Sequence, residues 1–590
     1  MERQSNSQGE MLLDEQVVPG VSDPEHPSKT LLRTVFREER FFLVLSVFIG
    51  IFSGLAVVCF RFAIDWCRIY FLGSGVTLTP WRLILAPTLA GLVIAVLVMH
   101  FFPLTRGSGV NQTKAALYIY NGHIPIRTAI GKFITAALAI GSGHSLGPED
   151  PSLQIGAALA SALGRRMRLS RDRMRLIAPV GAAAGLAAAF NAPISAVLFV
   201  IEEVIGRWTA GILGSVVLSA VSSVVVMRWF LGSESLFRIP PVEMVRPSEL
   251  IAYSILGVLG GLASVAFSSS IATLRPRCKV LPRWTQYFQP ALAGLLIGLI
   301  AVLGAPQVMG AGYQFIDEAM HGRFTWQMLA VLAGLKIVAT LLSFVSGTPG
   351  GMFAPTLFIG AMLGAAVGGA EHALLPHLSV SPGTYALVGM GVLFAGFLRA
   401  PMTSVFMVLE VSGNYSIIVP VIVANTFAYV ISRALQPTAI FDVLTREDGL
   451  ELPSMEEQRE EGILRVEDAM RPSEDPVLDA QETVDHALQS SEKASTDVLL
   501  VRLNPSGWTS VTKQDLRRMS GEGKGGFSLG SLVAVRHIPY VHPDHSLDVA
   551  LRYVDLWPVV PVVSRANFGK LEGVISQRDV LQRYRDFGEA

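Results

Sequence analysis

The sequence predicts an all-α polytopic membrane protein with inverted-repeat broken helices, followed by a soluble α/β domain at the C-terminal end. Three observations carry this expectation. The 590 residues are 51% hydrophobic and only 16% charged, with mean hydropathy +0.47, whereas a soluble chain carries about 25% charge. Apolar runs recur at 41–60, 83–102, 250–267, 291–303, 328–344 and 417–431. Several approach the roughly 20 residues that cross a bilayer, and others are shorter and glycine-broken, as in partial spans buried in protein. Finally, one Gly-rich break occurs twice, from Gly141 to Ala157 and from Val345 to Ala361. Ser142 matches Ser346, Pro151 matches Pro355 and Gly156 matches Gly360, always 204 positions on (346 − 142 = 355 − 151 = 360 − 156 = 204). Membrane helices interrupted at corresponding places in two halves are a recurrent way to build an ion site.

In chain order, residues 1–38 are polar and carry no apolar h-region, so no cleavable signal peptide is visible. They read as a cytoplasmic tail. Residues 39–443 read as the membrane body, with repeats of about 41–232 and 250–435. Arg165, Arg166, Arg168, Arg171, Arg173 and Arg175 crowd one connection, which the positive-inside rule places in the cytoplasm. Lys29, Arg33 and Arg37 are expected on the same side. The repeat continues beyond the breaks: Pro193 precedes Glu202 by nine residues and Pro401 precedes Glu410 by nine (202 − 193 = 410 − 401 = 9). Both prolines suit a first helical turn, where a missing N–H costs nothing, and Glu202 with its counterpart Glu410 reads as structural.

From 444 to 462 the chain reads as an acidic linker with Glu447, Asp448, Glu451, Glu456, Glu457, Glu460 and Glu461. Residues 463–586 then read as a soluble α/β pair, about 463–520 and 530–586. Apolar strands at 497–501 and 559–563 each precede a Ser/Thr-x-x-Asp pattern, Thr512 with Asp515 and Ser576 with Asp579. The pattern is a helix N-cap; the alternative is that the same hydroxyl and carboxylate hold the ribose and phosphate of a nucleotide. Cys59, Cys67 and Cys278 match no metal-ligand spacing and read as small buried hydrophobes, so no metal site is expected.

The breaks also have a physical reading. An anion stripped of water in an apolar interior needs a replacement for its hydration shell. Helix N-termini supply about half a positive charge and unpaired N–H groups without trapping the ion. Glycines let bare backbone approach it. The breaks before residues 110, 149 and 353 offer three such termini. Glu149 opens an apolar helix beside this path, and an intramembrane carboxylate is a functional hypothesis by default. Its charge mimics an anion, so it can block the path, and protonation would release it. Its repeat counterpart is Phe353, so only one half carries the carboxylate.

Four segments carry a resemblance: Gly107-Ser108-Gly109-Val110, Gly147-Pro148-Glu149-Asp150-Pro151, the run 182–203 and Gly351-Met352-Phe353-Ala354-Pro355. Over nearly all of 41–443 the chain resembles the CLC family of chloride channels and chloride/proton antiporters, and the tail resembles a pair of CBS domains. The resemblance implies anion ligands at Ser108, Gly109, Val110, Met352 and Phe353, with Phe441 at an inner gate. It implies Glu149 as the outer gate and proton acceptor, and Glu203 as an inner proton relay. It further implies a multi-pass protein of the cell or inner membrane, a homodimer with one anion path per subunit and both termini cytoplasmic. Its partners would be chloride, protons and the bilayer, with no nucleic acid. No cofactor is required, and an adenine nucleotide at the CBS pair is the one ligand the tail would take.

The chain departs from the family pattern at Pro148, Asp150 and Asn111, and has Phe441 where an inner-gate tyrosine would stand. Asp150 adds a second carboxylate near Glu149, which would raise the latter's proton affinity by like-charge repulsion. Ser108 and Met352 keep the chloride-type rather than the fluoride-type pattern. The expected function is chloride/proton exchange. The alternative is a passive, voltage- or pH-gated chloride channel, favoured by the missing tyrosine as Glu203 favours exchange. A membrane-anchored nucleotide sensor would not need broken, repeated helices. An intramembrane enzyme would need more than His144, which has no second ligand or nucleophile beside it.

Overall fold

The computed structural model describes residues 29–73, 79–206, 210–233, 237, 249–374, 382–450, 452, 464–473, 475–503, 507–532, 538–564 and 569–588. Residues 1–28 of the N-terminal tail and Glu451, Glu456, Glu457, Glu460 and Glu461 of the acidic linker lie outside the described residues. The chain divides into two compact units, Met1–Leu452 and Pro453–Ala590.

The first unit is helical. Its first half contains α1 (Lys29–Leu72), α2 (Pro80–Val96), α3 (Gly109–Tyr118), α4 (Ile126–Ser142), α5 (Glu149–Arg166), α6 (Arg171–Phe190), α7 (Pro193–Phe199) and α8 (Ala210–Leu231). Its second half contains α9 (Leu250–Val280), α10 (Gln289–Val302), α11 (Tyr313–Met320), α12 (Trp326–Val345), α13 (Phe353–Leu374), α14 (Pro382–Phe397), α15 (Pro401–Ser412) and α16 (Ile418–Leu435), and α17 (Ile440–Glu447) follows. Among the described residues, eight helical segments are long and apolar enough to cross a membrane.

The two halves pack by the same rule. α5 lies against α6 as α13 lies against α14, and α1 against α8 as α9 against α16. The first pair is close because glycine faces glycine. A Cβ on Gly156 would fall 2.2 Å from the Gly181 carbonyl oxygen, and one on Gly360 would fall 2.2 Å from that of Gly389. Small residues let backbones touch where lipid gives no hydrophobic drive to associate. The halves meet along α2 with α10 and α7 with α15.

Three sequence expectations change. The membrane body does not end at 443, because α17 runs on to Glu447. Glu447 and Asp448 are not free linker residues but are tied back to α9: Arg275 donates to them at 3.0 and 3.2 Å, and Lys279 donates to Asp448 at 2.7 Å. Arg275 is buried and needs those carboxylates to offset its desolvation. Of the cysteines only Cys67 is buried; Cys59 is exposed on α1.

The second unit carries α18 (Val466–Ala469), β1 (Leu478–Asp479), α19 (Val484–Glu492), β2 (Val498–Arg502), β3 (Trp508–Thr512), α20 (Lys513–Gly521), α21 (Leu529–Leu532), α22 (Leu547–Val554), β4 (Val560–Val563), β5 (Leu571–Ile575) and α23 (Gln577–Gly588). β1 pairs parallel with β2, which pairs antiparallel with β3; β4 pairs antiparallel with β5. An antiparallel pair followed by a helix thus occurs twice. Leu500, Trp508, Val563 and Val574 share one apolar cluster between the two copies. The Arg502 guanidinium, 2.8 Å from Asp479, holds that carboxyl below the usual carboxylate range.

Candidate functional site: where the helix breaks meet

The two breaks touch each other. The Gly147 N–H donates to the Gly351 carbonyl at 2.8 Å, and the Gly351 N–H donates back to the Gly147 carbonyl at 2.9 Å. These residues are 204 positions apart (351 − 147 = 204), so the contact joins equivalent points of the two halves. α5 starts two residues after one of them and α13 two residues after the other. α3 reaches the same place, since a Cβ on its first residue, Gly109, would lie 2.8 Å from Asp150 Oδ1. Three helix N-termini converge as the sequence predicts, with α3 beginning at Gly109 rather than Val110.

Glu149 is fully buried. Its carboxylate lies over Gly147, toward the start of α13: a Cβ on Gly147 would sit 2.3 Å from Glu149 Oε2 and 3.0 Å from the Ala354 nitrogen. Only glycine leaves room there. The N–H groups facing the carboxylate are its own and that of Ala354, without a hydrogen bond of normal geometry to either. The positive charge acting on it comes from Arg61 on α1, whose guanidinium donates to the Ala189 carbonyl. A cavity of ≈ 340 Å³ lined by Arg61, Asp65, Arg68 and Pro148 opens beside the start of α5. Glu149 and a mobile anion would compete for the same N-terminal donors of α13, whose first N–H groups have no acceptor within the helix.

The surroundings of Phe353 are aromatic. The Phe353 ring lies 5.0 Å from Phe199, 5.7 Å from Phe394 and 6.4 Å from Phe441. Phe441 therefore stands beside Phe353, where the sequence places an inner gate, and brings only a ring edge or face. Asn111 has a structural reason: its amide donates to the Phe441 carbonyl at 3.1 Å and ties α3 to α17.

At α3 the arrangement differs from expectation. The N–H groups of Gly109 and Val110, expected to face a chloride, donate to Asp150 Oδ1 at 2.6 and 3.2 Å. The Ser108 hydroxyl caps the helix by accepting from the Val110 N–H at 3.1 Å and also lies within reach of Asp150. A negative side chain one residue beyond Glu149 has an α-helix N-terminus in front of it and binds there. Asp150 thus engages α3 and lies in the field of Lys132, in place of acting solely as a like-charge neighbour of Glu149.

Glu203 sits on a π-helical turn, Val200–Ile205, that continues α7, and such turns concentrate at functional positions. It is not at a solvated helix end. It is buried against Lys114 of α3, which is 1% exposed and also lies 3.6 Å from Asp442. Glu202 and Glu410, which the sequence reads as structural, are reciprocal helix caps. Glu410 accepts from the Ile194 and Ser195 N–H groups at 2.9 and 2.7 Å, and Glu202 accepts from the Thr403 N–H and hydroxyl at 2.9 and 2.7 Å. Each caps the other half's helix.

Sequence reasoning missed the half-buried Arg61 and three buried lysines, Lys114, Lys132 and Lys336. The last two are repeat partners (336 − 132 = 204). Lys132 donates to the Thr105 and Gly107 carbonyls at 3.1 and 2.8 Å, and Lys336 to those of Val308 and Gly310 at 2.9 and 2.7 Å. Each pins the loop leading into α3 or α11. The available signal was a charge inside an apolar helix. His144 is also buried, with Nε2 3.1 Å from the Pro87 carbonyl.

In the tail, both Ser/Thr-x-x-Asp pairs close on themselves. The Thr512 hydroxyl donates to Asp515 at 2.6 Å, and the Ser576 hydroxyl donates to Asp579 at 2.6 Å. Asp579 also pairs with Arg471 at 3.3 Å. Both are helix caps. The nearby cleft beside Arg471, Thr496 and Val559 has a volume of ≈ 30 Å³, room for a water rather than for the several hundred Å³ of a small-molecule pocket.

Paired broken helices, reciprocal caps and a buried glutamate at their crossing define an ion-transport body, and the comparisons agree. The family described as voltage gated chloride channel matches residues 90–433, and the chain belongs to it. A ClcB-like chloride channel protein of Ralstonia nicotianae is 32% identical over 425 residues, 70% of this chain and 99% of that protein. The H⁺/Cl⁻ exchange transporter ClcA of Vibrio campbellii is 31% identical, over 68% of this chain and 88% of its own length. Among solved structures, a slow cyanobacterial Cl⁻/H⁺ antiporter superposes with a TM-score of 0.64 at 26% identity, covering 69% of this chain and 97% of its own. A eukaryotic CLC transporter at 20% identity shares the fold over 93% of this chain and 98% of its own, with a TM-score of 0.61. The chain is a multi-pass integral membrane protein of the CLC fold.

Proposed function

We propose that this protein exchanges chloride for protons across a membrane. The observation that carries the reading is the buried Glu149 carboxylate set at the N-terminus of α13, where the two breaks meet. A carboxylate that competes with the anion for the same N–H groups leaves when it takes a proton, which couples the two ions. Met352 and Phe353 would supply the backbone ligands and Phe441 a steric inner gate. The ClcA relatives, named as exchange transporters, support the same assignment. On this reading the chain is a transporter rather than an enzyme. It works as a homodimer with one path per subunit and both termini in the cytoplasm, needs no cofactor, and carries a CBS pair at 463–586 that modulates transport; an adenine nucleotide would bind that pair only once the ≈ 30 Å³ cleft beside Arg471 has opened.

A passive chloride channel is the second reading. It is favoured by the ion pair that commits Glu203 to Lys114 and by the absence of a hydroxyl on Phe441. Reconstitution in liposomes under a chloride gradient decides between them. Exchange gives a reversal potential that departs from the chloride equilibrium value and moves with an imposed pH gradient. A potential equal to the chloride value and blind to pH sinks the exchange reading and leaves the channel.

A further inference from the structure

Glu149 and Asp150 leave the first turn of α5 toward two different helix N-termini. Glu149 lies toward α13. Asp150 is 1% exposed and its Oδ1 accepts from both leading N–H groups of α3, while its Oδ2 has no hydrogen-bond partner. Its two accepted hydrogen bonds hold it there, and the neighbouring backbones come close because they are glycine: a Cβ on Gly351 would stand 2.7 Å from Asp150 Cβ, and one on Gly109 2.8 Å from the Asp150 carbonyl oxygen. Lys132, held by the Thr105 and Gly107 carbonyls, supplies the opposite charge.

We propose that Asp150 is a tethered anion, a fixed carboxylate that occupies the α3 end of the pathway and sets how tightly and how many mobile anions the pathway holds. The inference rests on the pathway being an anion route. A helix N-terminus is an anion site because of its unpaired N–H groups and its partial positive charge, and here both are already satisfied from within the chain. A mobile chloride is then left with the α13 donors, and it binds there in the field of a fixed negative charge a few ångströms away. Glu149 is the member of the same arrangement that no hydrogen bond holds, and Asp150 the member that two N–H groups hold. The two adjacent carboxylates divide the roles of gate and filler. Asp150 is a specificity-determining residue: it touches the anion's donors, not the proton route.

Equilibrium binding of chloride to purified full-length protein in detergent, by isothermal titration calorimetry, tests this with two variants. Asp150→Asn keeps the shape and the acceptor for the two N–H groups but removes the charge. It is expected to bind chloride at least about tenfold more tightly than the native protein, the scale of a unit charge acting over several ångströms in a partly polar interior. Asp150→Gly also vacates the donors. It is expected to bind tightly and to show bromide anomalous scattering at the Gly109 and Val110 nitrogens, which the Asn variant lacks. Unchanged or weaker chloride binding in a monodisperse Asp150→Asn protein overturns the proposal, as does a Gly variant with no bromide at α3. Native protein that moves chloride in liposomes while both variants bind no better separates failure of this inference from failure of the transport reading, in which the native protein moves no chloride at all.

Discussion

The buried charges in this chain come in partnerships, and their consequences can be measured one residue at a time. Lys114 and Glu203 sit together at 1% and 3% exposure with Asp442 nearby. Removing one member of such a pair leaves an unpaired buried charge and costs about 3–5 kcal/mol. Lys114→Met is expected to lower the unfolding free energy in detergent by that order, and Lys114→Met with Glu203→Gln to recover most of the loss. A double variant as unstable as the single one would show that the pair is not the source. Glu149→Gln makes a different prediction: chloride flux continues, loses its pH dependence and carries no protons, as read by parallel chloride and pH electrodes. Flux with unchanged pH dependence removes Glu149 from the gate.

At the scale of elements, the repeat explains what could be read in advance. Gly147, Gly351, Pro193 and Pro401 were legible because a broken helix demands those residue types wherever it occurs, so the two halves preserve them at matched spacing. Glu202 and Glu410 were legible for the same reason. Lys114 was not, because its partner is 89 residues away in sequence and only the fold brings them together. Lys132 and Lys336 would have emerged had the 204-residue offset been carried into the preceding helices. The role of Asp150 was hidden because its donors Gly109 and Val110 lie 41 and 40 residues upstream of it. The reciprocal caps give a symmetric prediction: Glu202→Ala and Glu410→Ala should each cost about 0.5–2 kcal/mol. Because their geometries match, the two should agree within about 0.5 kcal/mol by thermal unfolding. A clear inequality would mean that one of the carboxylates has a second role.

At the scale of the molecule, the membrane body and the tail each own a core. The body's apolar cluster runs from Phe42 to Leu444, and the tail's clusters begin at Leu464. A chain ending at Leu452 is therefore expected to fold and still to move chloride in liposomes, with altered rate or voltage dependence as the tail's signature. Complete loss of transport in a well-folded truncated protein would give the tail more than a modulatory part.

The hydrogen bonds between Gly147 and Gly351 join a position to its own equivalent in the other half, and the caps are exchanged reciprocally, Glu202 with Thr403 and Glu410 with Ser195. Such contacts are isologous, the kind that two identical copies make with each other. A half-length chain carrying one glycine break and one capping glutamate would already satisfy them by closing on an inverted copy of itself. What an assembly of identical halves forbids is a difference between them, so that Glu149 would face another Glu149. Joining the halves in one polypeptide permits Phe353 opposite Glu149, and with it a route whose two ends are chemically unlike.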